Sequence, residues 1–154
     1  MRNYFANRTL KGCITATFIF AATFVGSAND IDVKNLPQTI KTFISANIKD
    51  EKIVKCEKET GGYEIKTESG TKIEFNQKGG WNNIENDKSG ISQKLVDLLP
   101  YPASLYLKTN YNSVAVEEIT RSGKNYIVEL MTVPQKSKLL FTKDGKMKKM
   151  IEDY

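Results

Sequence analysis

Chemistry at neutral pH needs a side chain that can move a proton, attack an electrophile or hold a metal, and this 154-residue chain offers few of them. It contains no histidine, which removes Ser-His and Cys-His nucleophiles, imidazole zinc sites and the usual general base. Of its two cysteines, Cys13 falls in an N-terminal leader, so Cys56 stands without a second soft ligand. A carboxylate pair could hydrolyse a glycoside, and Glu57/Glu59, Glu64/Glu68 and Glu117/Glu118 are the candidates. Each lies among lysines on a strand-like surface, the pattern of solvated ion pairs, so no catalytic residue is assigned. Asp30 with Asp32, and Asp50 with Glu51, match no loop that supplies six or more oxygens to calcium. No glycine-rich phosphate cradle follows a strand and opens a helix. The expectation is no catalytic residue, no metal and no cofactor.

Contact chemistry remains. Ile127, Glu129, Met131 and Val133 alternate along one stretch, and Leu140 falls at a matching position on the next. An apolar patch on a sheet face that otherwise meets water marks a binding surface or a subunit contact. Trp81 is grouped with these residues as a flanking contact, its competing place being beneath the helices.

These positions depend on a repeating pattern of elements. Leu36-Pro37 recurs as Leu99-Pro100, Phe43-Ile44 as Tyr106-Leu107, and Tyr63 as Tyr126, all at an offset of 63 residues. Beyond Tyr126 the offset is 66: Phe75 pairs with Phe141, Gly79 with Gly145 and Trp81 with Met147, with the extra residues in the loop around Pro134. Leu36, Ile40, Phe43, Ile44 and Ile48 form a helical stripe, with Pro37 in the first turn; Ala103, Tyr106, Leu107 and Asn110 form the second. A short helix over Ile91–Leu98 precedes it. After each helix the period changes to two, predicting half-buried strands joined by short glycine turns at Gly61-Gly62, Ser69-Gly70, Gly79-Gly80, Gly123 and Gly145.

Strands are expected at Trp81–Glu85, Val114–Arg121, Tyr126–Val133, Lys138–Thr142 and Lys146–Glu152, besides those around Ile65 and Ile73. The fold class is α+β: two tandem helix-plus-antiparallel-meander repeats, about 30–88 and 89–154, forming one curved antiparallel sheet with helices on one face. In the first repeat the outward positions Glu64, Lys66, Glu68, Lys72 and Glu74 are charged. Their counterparts in the second are the patch residues.

Arg2, Arg8 and Lys11 precede a 13-residue apolar run from Cys13 to Val25 and the small residues Gly26-Ser27-Ala28. That is the layout of a secretory signal peptide cleaved after Ala28, and the run is shorter than the ~20 residues a membrane span needs. Residues 1–28 hold three basic residues and no acidic one, so the net charge falls from +5 to +2 on their removal. The remaining 29–154 fit one domain with no further membrane span. Near-balanced charge, with lysines alternating with glutamates, argues against nucleic acid. In an oxidising compartment a lone cysteine is either buried or paired between molecules; the apolar Ile119 at the position matching Cys56 predicts burial.

The string Tyr63-Glu64-Ile65-Lys66-Thr67, with Gly70-Thr71-Lys72-Ile73-Glu74-Phe75 and Gly79-Gly80-Trp81, resembles the signature of the PepSY-like, beta-lactamase-inhibitor-like family of secreted bacterial proteins. Tyr126–Glu129 with Phe141–Gly145 matches it a second time. The chain departs from the pattern where Pro134-Gln135-Lys136 replaces an Asp-Gly turn, and in opening its repeats with Leu-Pro instead of an aromatic-Pro. The resemblance implies a helical layer on a curved antiparallel sheet, export to the periplasm or beyond, and an open sheet face that grips a protein or peptide. The alternative partner is a second copy of the chain.

Overall fold

A computed structural model describes residues 29–133 and 135–152; the leader over 1–28 and Pro134 of the insertion loop lie outside the described residues. Among the described residues nine strands pair in chain order into one antiparallel sheet. They are β1 (Asn29–Asp30), β2 (Ile53–Glu59), β3 (Gly62–Thr67), β4 (Lys72–Asn76), β5 (Trp81–Glu85), β6 (Val116–Ser122), β7 (Asn125–Leu130), β8 (Ser137–Thr142) and β9 (Met147–Glu152). Helix α1 (Gln38–Asn47) precedes β2, while α2 (Gln93–Val96) and α3 (Tyr101–Asn110) connect β5 to β6. The class is α+β, as the change of period from 3.6 to two predicts.

Burial follows the alternation. Cys56, Ile65, Ile73, Ile84, Ile119, Val128 and Leu139 are successive cross-strand partners from β2 to β8. All seven are buried, and a fully buried aliphatic side chain contributes about 1.5–3 kcal/mol relative to an exposed one. The row ends on β9 at Met150, which has no further strand beside it and is 45% exposed.

The helices lie over this face. Phe43 of α1 meets Phe75 edge-on with ring centroids 5.2 Å apart, and Tyr106 of α3 meets Phe141 at 5.7 Å. Each helix also presses its first turn on a hairpin glycine. A Cβ on Gly79 would fall 2.0 Å from the Thr39 hydroxyl, and one on Gly145 would fall 2.9 Å from the Ala103 nitrogen, so both turns need glycine for the close approach as well as for φ near +80°.

Helix ends are closed by backbone and asparagine groups. Pro37 stands one residue before the first turn, not within it; its carbonyl accepts from Ile40 and Lys41 at 3.0 and 3.1 Å, and Pro100 serves Ala103 and Ser104 at 2.8 and 3.2 Å. At the other ends Asn47 and Asn110 each donate from Nδ2 to the carbonyl four residues earlier, at 2.9 Å.

Several boundaries differ from those predicted. The helix expected over Ile91–Leu98 contracts to α2: Ser92 is extended at its start, and beyond Val96 the Leu98 and Leu99 N–H groups donate three residues back, to Leu95 O and Val96 O at 3.2 and 3.0 Å, a tighter turn that ends it. The strand expected to reach Val133 stops at Leu130: the Met131 N–H donates to Ala115 O at 2.9 Å and the Thr132 N–H turns back to Leu130 O at 2.8 Å, which ends the ladder. The two-residue β1 is too short to carry a readable period.

Candidate functional site

The face away from the helices carries the other set of side chains. One row of partners reads Glu57, Glu64, Glu74, Asn83, Thr120, Ile127, Leu140 and Lys149, and the next reads Lys55, Lys66, Lys72, Glu85, Glu118, Glu129, Lys138 and Ile151. In these two rows every position from β2 to β4 is charged. From β6 to β9 it turns mixed, with Ile127 and Leu140 directly paired and both half-buried.

The charged half is neutralised within itself. Lys55 pairs with Glu57 at 2.7 Å, and Lys72 bridges Glu74 at 3.1 Å and Glu85 at 2.8 Å. Burial alone would depress the Lys72 ammonium; the hydrogen bonds it donates to Glu85 and Glu74 outweigh it and hold the pKa above the usual lysine range. Glu64 has carboxylates on both sides, Glu57 and Glu74. Partial burial, reinforced by Glu59 and Glu57 against the pull of Lys72 and Lys55, raises its pKa.

A polar seam divides the halves. Glu118 accepts from the Asn83 amide and, at 2.7 Å, from the Thr120 hydroxyl, while Asn83 Oδ1 is buried without a hydrogen-bond partner. Because the seam forms only where β5 meets β6, with Asn83 and Thr120 37 residues apart, no local spacing announces it.

The predicted contact residues separate. Ile127 and Leu140 come together on the open face. Glu129 lies beside them but is 9% exposed and ion-paired with Lys138 at 2.6 Å, so it is a buried partner of a lysine and not an open contact. Met131 is half-buried just past β7, its sulfur beside Gly90. Val133 is 95% exposed and off the sheet, because the strand ends three residues earlier. Trp81 is 5% exposed on the helix side, where the Arg121 guanidinium stacks 3.9 Å from its ring centroid and Tyr126 lies at 6.2 Å. The register that pairs Trp81 with Phe75 therefore excludes it from the open face.

Three of the six candidate acids are held in ion pairs, and Glu118 is taken up by the Asn83 and Thr120 donors. Glu57, Glu68 and Glu117 bind Lys55, Lys52 and Lys136 respectively. Cys56 is buried as predicted; burial, with smaller contributions from Asp30 and Asp32, pushes its thiol up to about 11.

A family model described as beta-lactamase-inhibitor-like, PepSY-like matches residues 24–71 and 67–149. Among solved structures the chain is similar to a periplasmic protein of Bacteroides thetaiotaomicron, described as calcium-regulated, at 26% identity and a TM-score of 0.70, covering 80% of this chain and 96% of that one. It is also similar to two periplasmic proteins of Bacteroides vulgatus. One, of unknown function, is 27% identical with a TM-score of 0.64, covering 80% of this chain and 99% of that chain. The other is 26% identical with a TM-score of 0.68, covering 81% and 97%. No curated protein sequence matches. Among the described residues no helix is long and apolar enough to cross a membrane.

Proposed function

This chain belongs to the beta-lactamase-inhibitor-like, PepSY-like family, and from that premise we propose that it is an exported, non-enzymatic binding module that holds a protein or peptide on its open sheet face. Ile127 and Leu140 are the apolar anchors, Met131 lies beyond the Glu129–Lys138 pair past the end of β7, and the lysine–glutamate lattice of β2–β4 supplies polar register. The observation that carries this reading is the direct pairing of Ile127 with Leu140 on the face that neither α1 nor α3 covers. The periplasmic descriptions of the similar structures support export. The calcium regulation ascribed to one of them is not carried over: among the described residues no three acidic or thiol groups gather around a cation position, and Asp32 is engaged by Lys34 at 3.0 Å.

We further read the two halves as copies of one unit. Helices α1 and α3 begin at 38 and 101, strands β2 and β6 at 53 and 116, and β3 and β7 at 62 and 125, each at the same interval. The ladders are also interrupted at matching places: Val54 and Glu117 are skipped in one pair of strands, Asn82 and Lys148 in the other.

The test is a double variant, Ile127→Asp with Leu140→Asp, in envelope-extract capture followed by titration of the purified captured protein. Wild type should bind and the variant should lose at least tenfold in affinity while keeping the wild-type circular dichroism spectrum, its melting temperature lowered only by the two facing carboxylates. Equal capture by both forms overturns the assignment. Light scattering on the same pair reads the second-copy alternative, as a wild-type dimer that the variant makes monomeric.

A further inference from the structure

Consecutive antiparallel strands put the β2–β3, β4–β5, β6–β7 and β8–β9 turns at one end of the sheet, while the helical crossover leaves β5 from the other. That turn end carries Lys58, Lys78, Arg121, Lys124, Lys143 and Lys146, all exposed, against only Glu59 and Asp144. Not one of the six cations joins an ion pair among the described residues; those pairs all use other lysines. The excess is local: six cations against two carboxylates leave +4 at this end, whereas the rest of 29–154 holds 14 basic and 16 acidic residues, a net −2.

Shape narrows what such an end fits. From the β2–β3 turn to the β8–β9 turn there are six strand spacings, a line of roughly 29 Å at about 4.8 Å per strand. Cations strung along a straight edge suit a plane of anions, whereas a single bound anion needs donors that converge. Five of the six are lysines, compact charges on flexible stems that serve diffuse attraction better than geometric recognition. The Arg121 guanidinium carbon sits over the Trp81 ring, 3.9 Å from its centroid. At the same end stands Tyr101, the first residue of α3 and 74% exposed, because the helix start is pressed on the β8–β9 turn at Gly145. An exposed tyrosine is a common membrane-interface residue, and the side chains that share its surface hollow include Asp97 and Lys108.

We propose that the turn end of the sheet docks end-on against an anionic lipid bilayer, with phosphodiester headgroups facing Lys58, Lys78, Lys124, Lys143 and Lys146. The open face then stands perpendicular to the membrane and stays free for its partner. Attraction of this kind falls off within a Debye length and weakens with salt.

The test is vesicle sedimentation of the protein purified after export from the full-length gene. Vesicles containing phosphatidylglycerol should retain it at low ionic strength and vesicles of phosphatidylcholine alone should not. Each neutralised lysine should lower partitioning about fivefold, so Lys78→Gln, Lys124→Gln and Lys143→Gln together should lower it about a hundredfold. Lys66→Gln on the open face should leave it unchanged, and the Ile127→Asp, Leu140→Asp variant should still sediment, which separates this result from the fate of the partner site. Equal retention on neutral vesicles, insensitivity to salt, wild-type behaviour of the triple variant, or release by millimolar inorganic phosphate at constant ionic strength would each overturn the proposal.

Discussion

Glu64 shows what a single register position can do to a carboxylate. Partial burial, then neighbouring Glu59 and Glu57, raise its folded-state pKa above the unfolded value. A carboxyl group raised in this way binds more protons folded than unfolded, so its contribution to stability improves as pH falls through the folded pKa toward the unfolded one and worsens as pH rises. Glu64→Gln should therefore stabilise the protein at pH 7 by roughly 0.2–1 kcal/mol, the scale of one cross-strand pair, with the gain shrinking towards pH 4 and in high salt. Urea denaturation of both forms at several pH values measures it; an advantage that grows on acidification would contradict the assigned shift. Cys56, with its thiol pushed up to about 11 beneath the helices, should react with a thiol reagent in the native protein at least a hundredfold more slowly than in urea.

At the scale of elements, the joints between helix and hairpin carry the most specific requirement. Gly79, Gly145 and Gly123 all adopt positive φ, yet only the first two face a helix start; a Cβ on Gly123 meets nothing within 4 Å. Gly145→Ala should cost about 2–4 kcal/mol through clash and backbone strain together, and Gly123→Ala about 1 kcal/mol through strain alone. Thermal melting of the two variants separates the effects. If they fall equally, the glycine at 145 serves only its turn. Legibility differs in the same way: the Gly79–Gly145 correspondence is visible in sequence because a turn is local, but the need for glycine against Ala103 arises from the packing of α3.

For the whole molecule, the uninterrupted row from Cys56 to Leu139 ties the two halves across β5–β6. Ile73→Ala in the first half and Leu139→Ala in the second should each destabilise by about 2–5 kcal/mol. In calorimetry both should lower one shared transition. Two transitions, each shifted by only one of the substitutions, would mean the halves unfold separately.

Sequence by itself determined the elements, the burial of Cys56 and the helix stripes, because these follow from short-range periodicity and from like residues recurring 63 positions on. It also put Ile127 and Leu140 on one face of the sheet, since alternation assigns a side chain to one face without reference to a partner strand. Tertiary structure decided the rest. Val133 left the sheet because a backbone turn after Leu130 ended β7, and Trp81 went under the helices because a skipped residue, Asn82, reset its face. The Asn83–Glu118–Thr120 seam and the line of unpaired lysines at the turn end exist only through strand order. Periodicity is a property of neighbours along the chain; which faces and ends come together depends on closing long loops, and that closure leaves no local mark in the sequence.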